Sequence, residues 1–320
     1  MKISGWIGLL GFGCWLMSAR AQPADRVTMD TVQDSLAKLG YAIYNEPSEP
    51  ERLKANFAFV KTLVSALKMP NSYQFGFDSL KMISILRSSD DRFRIFSWHV
   101  PLNDGSYLYY GTIQLHTPDG RLKMYPLLDK TYEIESPETV VTTAANWYGA
   151  QYYRVVPFGA EYILLGWKGH TAQMTQKVIE VLTLTEEGVK LGKRIFEGDG
   201  TQAQTRVIYR YSQNARMYMD YDDRENRIVL DHLAPADVRE EGQYEHYGPD
   251  MTYDAWQLRN GTWVLTPNVR IMNPATPGDD QYNDPQKPAS TLRAGFPHHE
   301  FYQTFSPNHK KFFFICSRLS

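Results

Sequence analysis

Apolar residues recur at two different periods along this chain. Between residues 28 and 67 the step is three and four. Met29, Val32, Leu36, Leu39 and Ile43 share one helical face, and Leu53, Phe57, Val60, Val64 and Leu67 share another. Residues 22–27 read as a lead-in, Thr28 or Asp30 as an N-cap, and Gly40 as a break near the end of the first helix. Ser48 and Glu51 have the spacing of a capping box, with Pro50 in the first turn. Met69, Pro70 and Asn71 stop the second helix. The expectation is a helical hairpin over 22–77 that buries both stripes against the body that follows.

From about residue 81 the period changes to two. Strands are expected at 82–86, 93–100, 107–116 and 122–127, with Asn103-Asp104-Gly105 and Pro118-Asp119-Gly120 as tight turns. A second meander is expected at 152–157, 162–167, 177–184 and 189–196. A third covers 206–233, with strands at 206–211, 216–221 and 227–233. A hairpin over 253–265 turns at Asn260-Gly261. Starting points roughly 55 residues apart suggest propeller blades. Consecutive hairpins in a twisted sheet or sandwich give the same pattern. The fold class is therefore mainly β with an N-terminal α-helical hairpin, the 78–320 body being β-propeller-like or another all-β arrangement of antiparallel meanders. Pro, Asn, Asp and Gly make 266–297 a long loop, and the FFFIC run at 312–316 suits a returning strand.

Composition adds a compartment. Lys2, the uncharged apolar run 3–17 and Ala19-Arg20-Ala21 have the form of an export signal cleaved after Ala21. The run is too short to span a bilayer, which takes about 20 residues, so an exported, soluble protein of the periplasm or extracellular space is expected. Phe12 argues against a lipid anchor at Cys14. Cleavage leaves Cys316 as the one cysteine of two and excludes an internal disulfide. Loss of Lys2 and Arg20 takes the formal charge from −2 to −4, which gives nucleic acid no basic face to bind.

Signatures of the common nucleotide, zinc-protease and hydrolase classes are missing. The polar residues gather instead at 220–254. Asp220 and Asp222 alternate as Ca²⁺ ligands would, although EF-hand spacing is absent and a solvated acidic turn explains them as well. Asp231 and Glu245 are the candidate general acid and base, with His232, His246, Asp250 and Trp256 as candidate ligand contacts. His298, His299, Glu300 and His309 form a second polar cluster. Trp98, Trp147, Trp167, Trp256 and Trp263 fit core packing before they fit a sugar platform, and Asn260-Gly261-Thr262 is a sequon that coincides with a turn. These features favour a non-catalytic binding or structural protein, its ligand face in loops 234–251 and 266–299, its partner a glycan or an envelope protein. The alternative is a secreted, glycan-active hydrolase using the acids of 220–254, with Ca²⁺ the one cofactor left open.

Overall fold

A computed structural model describes residues 23–198 and 202–271. The expected export signal with Cys14, the loop beyond residue 271, His298, His299, Glu300, His309 and the strand at Cys316 lie outside the described residues. Two helices open the structure, α1 (Pro23–Asn45) and α2 (Glu49–Leu67). No described helix is long and apolar enough to cross a membrane.

The helices form the expected hairpin but differ from expectation in detail. α1 begins at Pro23, within the expected lead-in and ahead of the expected cap, and runs through Gly40. Gly40 is buried where α1 meets Phe59 and Met82, and a Cβ there would make ordinary contacts at 3.6 and 3.7 Å, so the glycine neither breaks the helix nor is demanded by the packing. The Ser48 side chain makes no capping bond. In α2 the buried face is Arg52, Ala55, Asn56, Phe59, Leu63, Ala66 and Leu67; of the expected stripe Leu67 is fully buried, whereas Phe57 is 67% exposed. The rotation has a polar cause. Arg52 donates to the carbonyls of Pro101, Glu46 and Pro47 and to Asn103 Oδ1, and Asn56 Oδ1 accepts the Trp98 indole N–H at 2.8 Å. Polar residues with such partners belong inside, and a purely apolar count places them outside.

Strands β1 (Ser84–Arg87), β2 (Phe93–Pro101), β3 (Tyr107–Leu115) and β4 (Lys123–Leu128) form a four-stranded antiparallel meander, as expected. Short β5 (Thr142–Thr143), β6 (Gln151–Phe158), β7 (Glu161–Gly169), β8 (Met174–Leu184) and β9 (Val189–Leu191) form the second sheet. Two-residue β10 (Phe196–Glu197) leads to β11 (Arg206–Ser212), β12 (Met219–Asp222), β13 (Arg227–Pro235), β14 (Tyr247–Arg259) and β15 (Thr262–Thr266). The third sheet has the order β10-β15-β14-β13-β12. The expected three-strand unit at 206–233 is thus divided. β11 leaves its chain neighbours and pairs with residues 174–180 of β8, while β9 takes residues 182–184 of the same edge. β12 and β13 join the 253–265 hairpin instead.

Alternating faces stack these layers in order. Trp98, Val100 and Phe96 of β2 pack on the helices, while Phe93 and Ile95 pack on Leu164, Leu182 and Leu191 of the second sheet. The other face of that sheet, with Ile163, Leu165, Ile179 and Val181, meets Ile228, Leu230, Trp256 and Trp263 of the third. Each such fully buried apolar side chain contributes roughly 1.5–3 kcal/mol. Sandwiched sheets of this kind are open at their ends, and the described residues close into neither a barrel nor a propeller.

Candidate functional site

The acids of 220–254 are mostly engaged locally. Asp223 accepts from Arg154 Nη2 at 2.5 Å, and Asp220 lies 4.0 Å from Arg154 Nε. Asp222 lies 3.5 Å from Arg227 Nε. The carboxylates proposed for Ca²⁺ thus each have an arginine nearby and accept local backbone N–H groups, Asp220 from Tyr221 and Asp222 from Arg224, and no group of three or more His, Cys, Asp and Glu among the described residues has metal-binding spacing. Asp231 Oδ2 accepts the Tyr218 N–H at 2.6 Å, beside the Asp231 N–H bond to the Tyr218 carbonyl, so its side chain prolongs the β12–β13 ladder. Glu245 sits exposed in the short 3₁₀ turn Tyr244–His246, and His246 Nδ1 is 3.7 Å from Glu240. The proposed acid and base therefore have no contact in common.

One pair does form across sheet three. His232 Nδ1 lies 2.8 Å from Oδ2 of Asp254, a carboxylate only 6% exposed, whose Oδ1 accepts the Asn268 N–H at 3.1 Å. Asp250 is spent on Thr252, accepting its N–H and hydroxyl at 2.9 and 2.7 Å. Trp256 is a core residue, 2% exposed, its indole N–H donated to Tyr209 at 2.8 Å. Of the five tryptophans singled out in the sequence, four are buried, and partly exposed Trp167 packs on His99 and Tyr107.

A receptive surface lies where three hairpin ends meet. Phe158 closes β6, Tyr221 lies near the end of β12, and Trp263 follows the Asn260-Gly261 turn. Their rings wall a cavity of about 480 Å³, with Glu225, Asn226, Gln257 and Arg259 as its polar lining. Phe158 and Trp263 stand 6.0 Å apart at 52°. Tyr221 donates to Asn226 Oδ1 at 3.3 Å, and Arg259 donates to Gln257 Oε1 at 2.8 Å. Trp263 is 2% exposed, yet among the described residues its Nε1–H has no acceptor, which is uncommon for a buried indole. Apolar rings with a few converging donors and acceptors orient small polar ligands. The sequence signal for this site was aromatic residues beside turn residues, a pattern that strand packing also produces.

A second concentration of chemistry is closed. On the face of sheet two toward sheet one, Glu180 and Arg206 form an ion pair at 0% exposure. Tyr152 donates to Glu180 Oε2 at 2.5 Å and accepts the Trp147 indole N–H at 2.8 Å. Arg206 also holds the Pro137 carbonyl and lies 3.2 Å from Thr142 Oγ1, tying the 129–150 connection to the sheet. Nearby, Lys168 donates to Thr131 Oγ1 at 2.7 Å and to the Gly149 carbonyl at 2.5 Å, with the Tyr109 and Tyr148 rings each 4.4 Å away. Burial pushes its pKa down to about 7. These groups are engaged with one another and reach no solvent, which suits a structural role. Comparison with known proteins gives no family assignment: no family model, no curated protein and no solved structure matches the chain.

Proposed function

We propose that the chain is an exported, non-catalytic binding protein of the periplasm or extracellular space, and that it holds a glycan or similar polyhydroxylated ligand in the hairpin-end cavity. The observation that carries this reading is a cavity walled by the Phe158, Tyr221 and Trp263 rings and by four polar side chains. Sugars present C–H faces to aromatic rings and hydroxyls to amide, carboxylate and guanidinium groups, which is the chemistry lining this cavity. The test is isothermal titration against soluble malto-, cello- and chito-oligosaccharides, with Trp263→Phe and Tyr221→Ala as variants. Trp263→Phe trims one ring of the wall and, because Trp263 is buried, lowers the unfolding midpoint as well, so a loss of about 3- to 10-fold in affinity, read well below that midpoint, is expected. Affinity for a bound sugar that is unaffected by both variants removes the cavity as the site. Mass spectrometry of the exported protein tests cleavage after Ala21.

The hydrolase reading keeps one observation in its favour, the half-exposed His232 held by buried Asp254. Its test is glycan turnover by Asp231→Asn and Glu245→Gln. Any turnover that survives both changes assigns the chemistry elsewhere.

A further inference from the structure

A different cavity, of about 510 Å³, opens where the connection from α2 reaches sheet one. Arg87 of β1 and Arg94 of β2 are directly opposite each other in the ladder, an arrangement that like charges disfavour. Arg94 is 1% exposed. Its hydrogen-bond acceptors are all neutral: Gln114 Oε1 at 2.9 Å, the Phe75 carbonyl at 2.5 Å and the Ser72 carbonyl at 2.9 Å. Among the described residues no carboxylate comes within 4.0 Å of it to make an ion pair. Arg87 has Asp91 at 3.2 Å, on a side chain 47% exposed. Buried charge normally finds an opposite charge, and among the described residues the one carboxylate lining the cavity with Lys81, Arg87 and Arg94 is Asp78.

The remaining wall is apolar. Phe77, Leu80, Ile83 and Ile85 line it. Phe77 holds φ at +55°, a conformation that a bulky side chain rarely adopts. That conformation accompanies a ring 5.0 Å from the Arg94 guanidinium and edge-on to Phe96. Strained backbone beside a cavity is often kept for ligand contact. The volume falls within the range of small-molecule sites.

We propose that this cavity binds an amphipathic organic anion, its carboxylate or phosphate head at the Arg87–Arg94 pair and its short hydrocarbon body along Phe77, Leu80 and Ile83. A guanidinium pair offers such a head forked, charge-assisted hydrogen bonds. The ligand then supplies the negative charge that the protein leaves out. This site stands apart from the hairpin-end cavity and does not depend on it.

The experiment is calorimetric titration of the full chain with octanoate, octyl phosphate, octanol, octylammonium and inorganic phosphate. Octanoate or octyl phosphate should bind at least about tenfold more tightly than octanol, octylammonium and inorganic phosphate, tenfold being the loss of one charge-assisted bond. Equal binding of octanol, equal binding of inorganic phosphate, or no octanoate or octyl phosphate binding up to millimolar concentration overturns the proposal. Arg87→Met and Lys81→Met alter exposed side chains and should fold, and Arg87→Met should lower affinity for the preferred anion about tenfold or more. Anion affinity unchanged by both variants overturns it too. Trp263→Phe should leave anion binding unchanged, which separates this site from the proposed glycan site.

Discussion

Replacing Glu180 by Gln removes one charge from the centre of the second sheet and little volume. Arg206 then remains as a cation with 0% exposure and no carboxylate partner. The amide can still accept from Arg206 through one oxygen, but its NH₂ faces a Tyr152 hydroxyl whose proton was donated to Oε2 and whose oxygen already accepts from Trp147. One donor is therefore left without an acceptor in addition to the unpaired charge. Breaking a buried pair in this way costs about 3–5 kcal/mol, and at a urea m-value of about 3 kcal/mol/M the midpoint falls by roughly 1–1.7 M. Arg206→Met should cost as much, because it strands Glu180 and releases the Pro137 carbonyl and Thr142. The double variant Glu180→Gln/Arg206→Met should lose less stability than the two single changes added together, since neither charge of the pair remains. Urea unfolding followed by tryptophan fluorescence reads all three. A loss below about 1 kcal/mol for Glu180→Gln, or single-variant effects that simply add, refutes the reasoning.

His99 is enclosed by Tyr44, Tyr107 and Trp167, with Nδ1 2.8 Å from Gln151, and burial pushes its pKa down to about 4. The unfolded chain takes up the proton first, so wild-type stability should fall by roughly 3 kcal/mol from this group as pH drops from about 6.5 to 4; His99→Gln should flatten that slope in urea titrations across the window. Lys168 is depressed to about 7 by burial. The unfolded chain again holds the proton more tightly, so wild-type stability relative to Lys168→Met should rise between pH 7 and about 10.5, by up to about 4–5 kcal/mol, and equal slopes would contradict it. Gly105 sits at φ +82° with Ala172 against it, a Cβ there lying 2.7 Å from the Ala172 Cβ. Gly105→Ala should cost about 1–3 kcal/mol in chemical unfolding, the backbone strain and the clash adding.

Much of the element list was legible in the sequence because it is decided locally. Asp-Gly and Asn-Gly turns admit positive φ whatever surrounds them, and all four strands of the first sheet fall within two residues of expectation, paired in chain order. Period-two and period-three-to-four runs separate strand from helix without reference to partners. The candidate site was less legible. His232 was among the residues singled out, but its partner Asp254 was chosen by the β13–β14 register, which places Asp254 opposite Leu230, with a bulge between Asp231 and Leu233. Phe158, Tyr221 and Trp263 come from three hairpins whose convergence no single segment encodes.

Sequence alone thus determined the two kinds of segment, the turns between them and the mainly β class with a helical hairpin in front. Tertiary structure decided which edge each strand joins and which polar residues go inside. β11 follows β10 in the chain, yet it pairs with β8, where Arg206 meets Glu180 and Val207 and Tyr211 enter the core against sheet three. Arg52 and Asn56 turn inward for acceptors and donors found on or just after β2. The physical reason is range. Turn chemistry and hydrophobic period act over a few residues, whereas satisfying a buried charge or hydrogen bond depends on groups that only the packed layers bring within 3 Å.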